Sequence, residues 1–73
     1  MYRFRFASVT IASAGYDALR EVLEVEFTRD GQIVRYYEVP EDIWYRFRRE
    51  SSPDKFFHSS IKGYFAEKRI KSR

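Results

Sequence analysis

The chain has 73 residues, a net charge of +3, no cysteine and one histidine. That length allows a single domain, and the lack of cysteine excludes disulfides and thiolate metal sites. With only one histidine as well, we expect neither a metal site nor a cofactor. Seven Phe, six Tyr and one Trp supply the large apolar area that a small core needs.

The N-terminal segment superficially resembles a secretory signal, with arginines ahead of an apolar stretch and small residues near Ala14. Ser8 and Thr10 interrupt that stretch, and cleavage after Ala14 would remove a segment that reads as part of the folded domain. No stretch approaches the ~20 apolar residues that span a bilayer. We therefore expect a cytoplasmic protein without membrane contact.

The first strand signal is an alternation of aromatic residues with arginines at the N-terminus. Tyr2, Phe4 and Phe6 share one phase, whereas residues 7–11 continue in another. A bulge, or a separate short edge strand, explains such a shift. We interpret residues 1–8 as an N-terminal extension or edge strand.

The clearest local signal is a hairpin around the Asp-Gly dipeptide at 30–31, which suits the central positions of a two-residue type I′ turn. Carrying that register outward places Val25 opposite Tyr36 and Glu26 opposite Arg35. Alternation along the strands then gives one apolar face and one mixed face. The hairpin is therefore expected to cover a core with one face only.

The adjacent Tyr36 and Tyr37 are assigned to opposite faces by this alternation. Tyr36 belongs to the core face, whereas Tyr37 projects from the mixed face beside Arg35 and Ile33. The mixed face is thus a candidate contact surface.

Two helices are predicted after the hairpin. Pro40 suits a first helical position, and the helical pattern runs to about Arg49. Ser52 and Pro53 open a second helix, which Gly63 ends. The expected fold is α+β, with a small antiparallel sheet of three to four strands followed by two helices packed on one face.

Four stretches carry a family resemblance: IASAGYD, LEVEF, VRYYEVP and SPDKFFHSSIKGYF. In this order they resemble the KTSC domain, a module found at the C-terminus of some lysyl-tRNA synthetases and alone in bacterial and phage proteins. The resemblance implies a domain at residues 9–66, followed by a charged tail at 67–73. It also implies RNA binding, which is proposed for the family. Val34 departs from the pattern, because the family tends to have Tyr there.

No catalytic residues are expected, since His58 is isolated and no nucleophile or phosphate-binding glycine loop accompanies it. Glu24 and Glu26 share a strand face, but pairing of Glu26 with Arg35 explains them more simply than acid-base chemistry does. The sequence therefore predicts a non-catalytic binding domain.

Charge is uneven along the chain: residues 1–42 carry five basic against eight acidic residues, and residues 43–73 carry nine against three. A basic C-terminal part is compatible with a polyanion, although such clusters are commonly solvated surface. One hypothesis is binding of RNA or single-stranded DNA through stacking and phosphate contacts. The candidate contact residues are Arg35, Tyr37, Arg46, Arg49, Lys55, Lys62, Lys68 and Arg69.

The alternative hypothesis is a protein-interaction module or a homo-oligomer. Its contacts would be Tyr37, Ile33 and the N-terminal strip of Tyr2, Phe4 and Phe6, because aromatic residues are favoured interface anchors. The acidic residues on the mixed face would hinder nucleic acid more than they would hinder a protein.

Overall fold

A computed structural model describes residues 3–71 of the chain. Its elements are β1 (Arg3–Arg5), β2 (Ile11–Asp17), β3 (Val22–Phe27), β4 (Ile33–Tyr36), α1 (Glu41–Arg49), α2 (Pro53–Ser60) and β5 (Glu67–Lys71). The strands form one antiparallel sheet in the order β1-β2-β3-β4-β5, with both helices inserted between β4 and β5. The expected α+β fold is confirmed, with a fifth strand added to the sheet.

The β3–β4 hairpin differs from its predicted register. Val25 lies opposite Val34, and Glu24 lies opposite Arg35. The reason is a longer loop over 28–31, closed by hydrogen bonds from Phe27 N–H to Gln32 O (2.9 Å) and from Gly31 N–H to Phe27 O (3.1 Å). The predicted two-residue turn and the predicted Glu26–Arg35 pair are therefore wrong.

The shift amounts to two residues, so every side chain keeps the face that the prediction gave it. Tyr36 is 2% exposed and lies in the core, as expected. Gly31 ends the loop with φ of 69°, a left-handed conformation that glycine adopts without steric cost. Because the predicted register is wrong by an even number of residues, the predicted apolar face is still the correct one.

The segment predicted as a charged tail is not a tail over residues 67–71. It forms β5 and pairs with β4, where Val34 lies opposite Arg69 and Arg35 lies opposite Lys68. Charged side chains are common on edge strands, because they discourage pairing with further chains. The composition of residues 67–71 therefore suits a sheet edge as well as it suits a solvated tail.

Both predicted helices are present. α1 follows Pro40 with acidic residues in its first turn and basic residues in its last turn, which complements the helix dipole. α2 begins at Pro53, buries Phe56 and Phe57, and ends before a turn at Gly63, whose φ is +86°. Among residues 3–71, no helix is long and apolar enough to cross a membrane.

The helices cover different halves of the same sheet face. α1 packs on the β1–β2 side, where Phe47 lies 4.7 Å from the Phe6 ring and Trp44 stacks on Tyr16 at 5.8 Å. α2 packs on the β3–β4 side through Phe57. The core consists of Ile11, Ala14, Leu23, Val25, Val34, Tyr36, Val39, Trp44, Phe47, Phe56, Phe57 and Ile61.

The N-terminal aromatic strip lies largely within this packing. Phe4 and Phe6 are half-buried, contact each other at 4.9 Å and pack against the core. Tyr2 falls outside the described residues. Phe4 and Phe6 therefore offer little free surface for the partner contact that the sequence suggested.

Candidate functional site

A cavity of about 770 Å³ opens at the hairpin end of the helix-covered sheet face. Its floor is apolar and is formed by Phe27, Val34, Tyr36 and Phe57. The volume falls within the ~300–1,000 Å³ typical of small-molecule sites. Val34, Tyr36 and Phe57 are buried beneath the cavity, and the half-buried Phe27 is the floor residue with accessible surface.

The cavity stays open because α2 has only eight residues and reaches no further than Phe57 and Ile61. The Phe57 ring meets the rings of Phe27 at 5.5 Å and Tyr36 at 5.7 Å, both edge to face. Past Ile61 the chain turns at Gly63 and returns to the sheet as β5. The sheet surface beyond Phe57 is left without a helix above it.

Residues ahead of β2 form the opposite wall. Thr28 ties this segment to the hairpin loop, because its N–H donates to Thr10 O at 2.9 Å and its hydroxyl donates to Val9 O at 2.6 Å. Val9 and Thr10 both line the cavity, and Val9 is 86% exposed. These hydrogen bonds hold the wall at a fixed distance from the hairpin.

Charged side chains surround the opening. The cations Arg29, Lys62 and Arg69 come from the hairpin loop, the turn after α2 and β5, while Asp30 and Glu67 add two carboxylates. All five residues are exposed. The rim therefore combines a net positive charge with acceptors that could accept hydrogen bonds from a ligand.

Tyr36 and Glu67 form a polar pair within the cavity. They are Cα partners on β4 and β5. Burial raises the pKa of the Tyr36 hydroxyl, and the nearby Glu67 carboxylate raises it further by charge and by a hydrogen bond. The Tyr36 hydroxyl therefore stays protonated at neutral pH, and the Glu67 carboxylate has lone pairs for a ligand.

The eight residues predicted to contact nucleic acid occupy three separate regions. Lys62 and Arg69 line the cavity. Arg46, Arg49 and Lys55 are exposed on the helices. Arg46 also lies over the Phe56 ring, with its guanidinium carbon 5.0 Å from the centroid. The structure thus divides the predicted basic residues instead of joining them in one path.

The outer sheet face holds Arg35 and Lys68 in a row that also contains Arg3, Gly15 and Glu24. Gly15 has no side chain, so Arg3 on β1 can reach across β2 to Glu24. Arg3 Nη1 lies 2.5 Å from Glu24 Oε1, and Arg35 Nε lies 2.9 Å from Glu24 Oε2. Arg35 is therefore held in an ion pair, with Glu24 as its partner.

Burial alone would raise the pKa of Glu24, but hydrogen bonds from Arg35 and Arg3 lower it below the usual value. Glu24 is thus ionised and neutralised by two arginines at neutral pH. The neighbouring Glu26 accepts a hydrogen bond from Ser13 Oγ at 2.8 Å. The outer face is a network of internal polar contacts.

Tyr37 lies just beyond the end of β4 and is half-buried. Its backbone N–H donates to Ala66 O at 2.9 Å. The pKa of the Arg35 guanidinium is raised above its usual value, mainly by the hydrogen bond to Glu24, with a smaller contribution from Tyr37. Tyr37 therefore adjoins Arg35 and not the cavity, and its predicted stacking role remains a prediction.

Another helix arginine contributes to packing. The Arg48 guanidinium lies 5.1 Å from the Phe4 ring centroid and 5.6 Å from that of Trp44. Arginine over an aromatic ring gains cation–π attraction while its alkyl stem covers apolar surface. A structural role thus accounts for part of the basic character of α1.

His58 is exposed, and its ring meets Phe57 edge to face at 5.4 Å. Within residues 3–71, no group of three or more His, Cys, Asp or Glu residues could hold a metal ion.

Sequence reasoning missed Arg29, Glu67 and Phe27 as cavity residues. Arg29 directly precedes the Asp-Gly dipeptide of the predicted turn, and Glu67 falls in the segment predicted as a charged tail. Glu67 and Arg69 are two residues apart, a spacing that puts both side chains on one side of a strand. That spacing is the sequence signal that could have identified the two cavity residues of β5.

The fold and the cavity define a small α+β domain with one sheet and one helix-covered face. The chain belongs to the KTSC domain family, whose model matches residues 7–65. It is similar to a KTSC domain protein from Yersinia pestis of known crystal structure, with 34% identity and a TM-score of 0.91 over 96% of this chain and 97% of that one. No curated protein matches the chain. The link to lysyl-tRNA synthetases remains a prediction.

Proposed function

We propose that this KTSC domain is a non-catalytic module that binds single-stranded RNA or DNA, and that the cavity is its contact site. The observation that carries the proposal is the meeting of an aromatic floor with three cations from separate elements at one opening. Lys62 and Arg69 are two of those cations, and the sequence had already predicted both as phosphate contacts.

The chemistry of the cavity suits an unpaired nucleotide. The half-buried Phe27 offers aromatic surface to a base, and base stacking on aromatic side chains contributes ~1–3 kcal/mol per base in single-strand binding. Cations on the rim would neutralise the adjoining phosphates and release counterions. A base in a duplex is stacked and paired, so the proposal is restricted to single strands.

One further point favours nucleic acid over a second copy of this chain. The resemblance to a domain attached to lysyl-tRNA synthetases is consistent with an RNA partner.

The test is binding of the purified domain to labelled RNA and single-stranded DNA pools over a range of salt concentrations. We expect Lys62→Glu with Arg69→Glu to weaken binding at least about tenfold at physiological salt. If each residue contacts one phosphate, the slope of log K against log salt should fall by about 1.4, because each contact on a single strand contributes about 0.7.

The matched control is Arg49→Glu with Lys55→Glu, which makes the same change in net charge on the exposed helix surface. It should weaken binding by only about twofold, through the general field of the protein. Equal losses in the two double variants would move the contact site to the helices. Failure of the wild-type chain to bind either pool at low salt would reject nucleic-acid binding and leave the protein-partner prediction.

A further inference from the structure

We infer that the cavity prefers guanine among the bases, with the Glu67 carboxylate as the group that recognises it. This inference rests on the proposed function and adds to it the class of nucleotide that the site takes. It starts from an apparent conflict: a site for a polyanion carries a carboxylate among its lining residues.

Glu67 has a defined place in the cavity. On β5, Glu67 lies opposite Tyr36 of β4, and Arg69 lies opposite Val34 of β4. Because they are two residues apart on one strand, the Glu67 and Arg69 side chains project from the same side of the sheet. Two residues along a strand separate their backbones by about 6.6 Å. The carboxylate and the guanidinium can therefore contact different parts of one ligand, the base and the phosphate.

The other carboxylate at the rim already has a hydrogen bond. Asp30 Oδ1 accepts from Gln32 N–H at 3.1 Å, within the hairpin loop. Glu67 lies opposite Tyr36, so its side chain projects on the side of the sheet that carries the cavity floor. Of the two, Glu67 is therefore the acceptor placed to recognise a base that lies on Phe27.

Guanine is the base that matches such an acceptor. Its N1–H and its N2 amino group point the same way from one edge, so the two oxygens of a carboxylate can accept from both. Adenine and cytosine present one amino group beside an acceptor nitrogen, and uracil presents one N–H between two carbonyls. For these three bases, a carboxylate meets at least one repelling lone pair.

The experiment measures affinity for short oligouridylates that carry one central guanine, adenine, cytosine or uracil. We expect the guanine oligonucleotide to bind about tenfold more tightly than the other three, as expected for one good bidentate contact. Replacing that guanine by inosine, which lacks the N2 amino group, should remove most of the preference. Because inosine changes the ligand and not the protein, this result cannot arise from a folding defect.

Glu67→Gln tests the residue itself, and Glu50→Gln is the control, since it removes the same charge from an exposed position at the end of α1. Glu67→Gln should reduce the guanine preference to within about twofold, whereas Glu50→Gln should keep it. Equal binding of all four bases, or a guanine preference that survives both inosine and Glu67→Gln, would overturn the inference and leave the proposed function intact. Binding to none of the oligonucleotides would overturn both.

Discussion

The two halves of the helix-covered sheet face contain similar aromatic side chains, but the larger cavity lies beside only one of them. We call the β1–β2 side under α1 the closed half, where the main residues are Phe4, Phe6, Tyr16, Trp44 and Phe47. The β3–β4 side is the open half, with Phe27, Val34, Tyr36 and Phe57 around the cavity. Both halves are aromatic, yet the cavity of about 770 Å³ adjoins only the open half.

The difference comes from the side chains that each helix places over the sheet, and not from the sheet itself. α1 places Trp44 against Tyr16 of β2 and Phe47 against Phe6, which lies between β1 and β2. α2 places Phe57 over the open half and then ends. The short covering helix leaves a cavity beside the open half, although Tyr36 beneath it is still buried.

The largest effect should come from removing a ring in the closed half. Phe47 is fully buried and contacts the rings of Phe6, Phe56 and Phe57. We expect Phe47→Ala to lower the free energy of unfolding by about 3–5 kcal/mol, from lost burial and the cavity left behind. In a domain of this size that loss approaches the whole stability, so urea unfolding should show a large shift in midpoint.

The matched change in the open half is Phe27→Ala. Phe27 is half-buried and contacts the Phe57 ring from one side. It should cost about 1–2 kcal/mol of stability, because much of its surface faces the cavity already. Losses of the same size at Phe27 and Phe47 would show that the open half is packed in solution and that the comparison fails.

A smaller effect is expected from Glu24, which joins strands of both halves across the outer face through Arg3 and Arg35. We expect Glu24→Gln to lower stability by about 1–2 kcal/mol at pH 7, discounted because both arginines are partly exposed. The Glu24 pKa is lowered in the fold, so its stabilisation is present above the unfolded pKa and is lost as the pH falls through the folded pKa.

Urea titrations at pH 7 and at pH 3 test this assignment. The gap between wild type and Glu24→Gln should narrow at pH 3, because that pH lies below the ordinary glutamate pKa and protonation of Glu24 then favours the unfolded chain. A gap of equal size at both pH values would mean that packing, and not charge, accounts for the effect of the substitution.

Tyr36→Phe separates the hydroxyl from the ring in the open half. At pH 7 we expect a loss of less than about 1 kcal/mol from the missing interaction of the hydroxyl with the Glu67 carboxylate. The Tyr36 pKa is raised in the fold, so the wild-type protein should lose stability as the pH rises above about 10, where the unfolded chain ionises first. The variant should lose less over that range.

Tyr16 also has a raised pKa, mainly from burial, so part of the alkaline loss should remain in Tyr36→Phe. Thermal unfolding at pH 8 and pH 10.5 for wild type and variant gives the comparison. If the two proteins lose stability equally between these pH values, Tyr36 does not titrate differently in the fold.

The smallest effect is expected at Tyr37, outside both halves. Tyr37→Ala should cost less than about 1 kcal/mol of stability, since the side chain is half-buried beyond the end of β4. If the cavity is the binding site, affinity for single-stranded nucleic acid should change by less than about twofold. A loss of 1–3 kcal/mol in binding, the size of a stacked base, would instead favour the outer face near Arg35.

Residues with a strong local pattern were predictable from the sequence. Pro40 and Pro53 marked the helix starts, and alternation placed Tyr36 in the core. The hairpin register was not predictable from Asp30-Gly31, because the same dipeptide also ends a four-residue loop with glycine in the left-handed region. Local dihedral preferences fit both loops, and tertiary pairing decides between them.

The cavity could be predicted only in part. Lys62 and Arg69 were identified by charge, but their meeting with Arg29 depends on β5 pairing with β4, a contact between distant parts of the chain. An edge strand rich in Lys and Arg has little hydrophobic periodicity to reveal it. A solvated charged tail and a charged edge strand have the same amino-acid composition. The fifth strand could therefore be identified only from the structure.

The insertion of both helices ahead of β5 has a consequence for the order of folding. The pairs β1–β2, β2–β3 and β3–β4 join near neighbours in sequence, whereas β5 can pair with β4 only after residues 37–66 have folded back. Glu67 and Arg69 thus reach the cavity rim in the final docking step. We expect the β5 amides to exchange with deuterated solvent sooner than those of β3, and a ligand held at the rim to slow that exchange, because it binds only after β5 has docked.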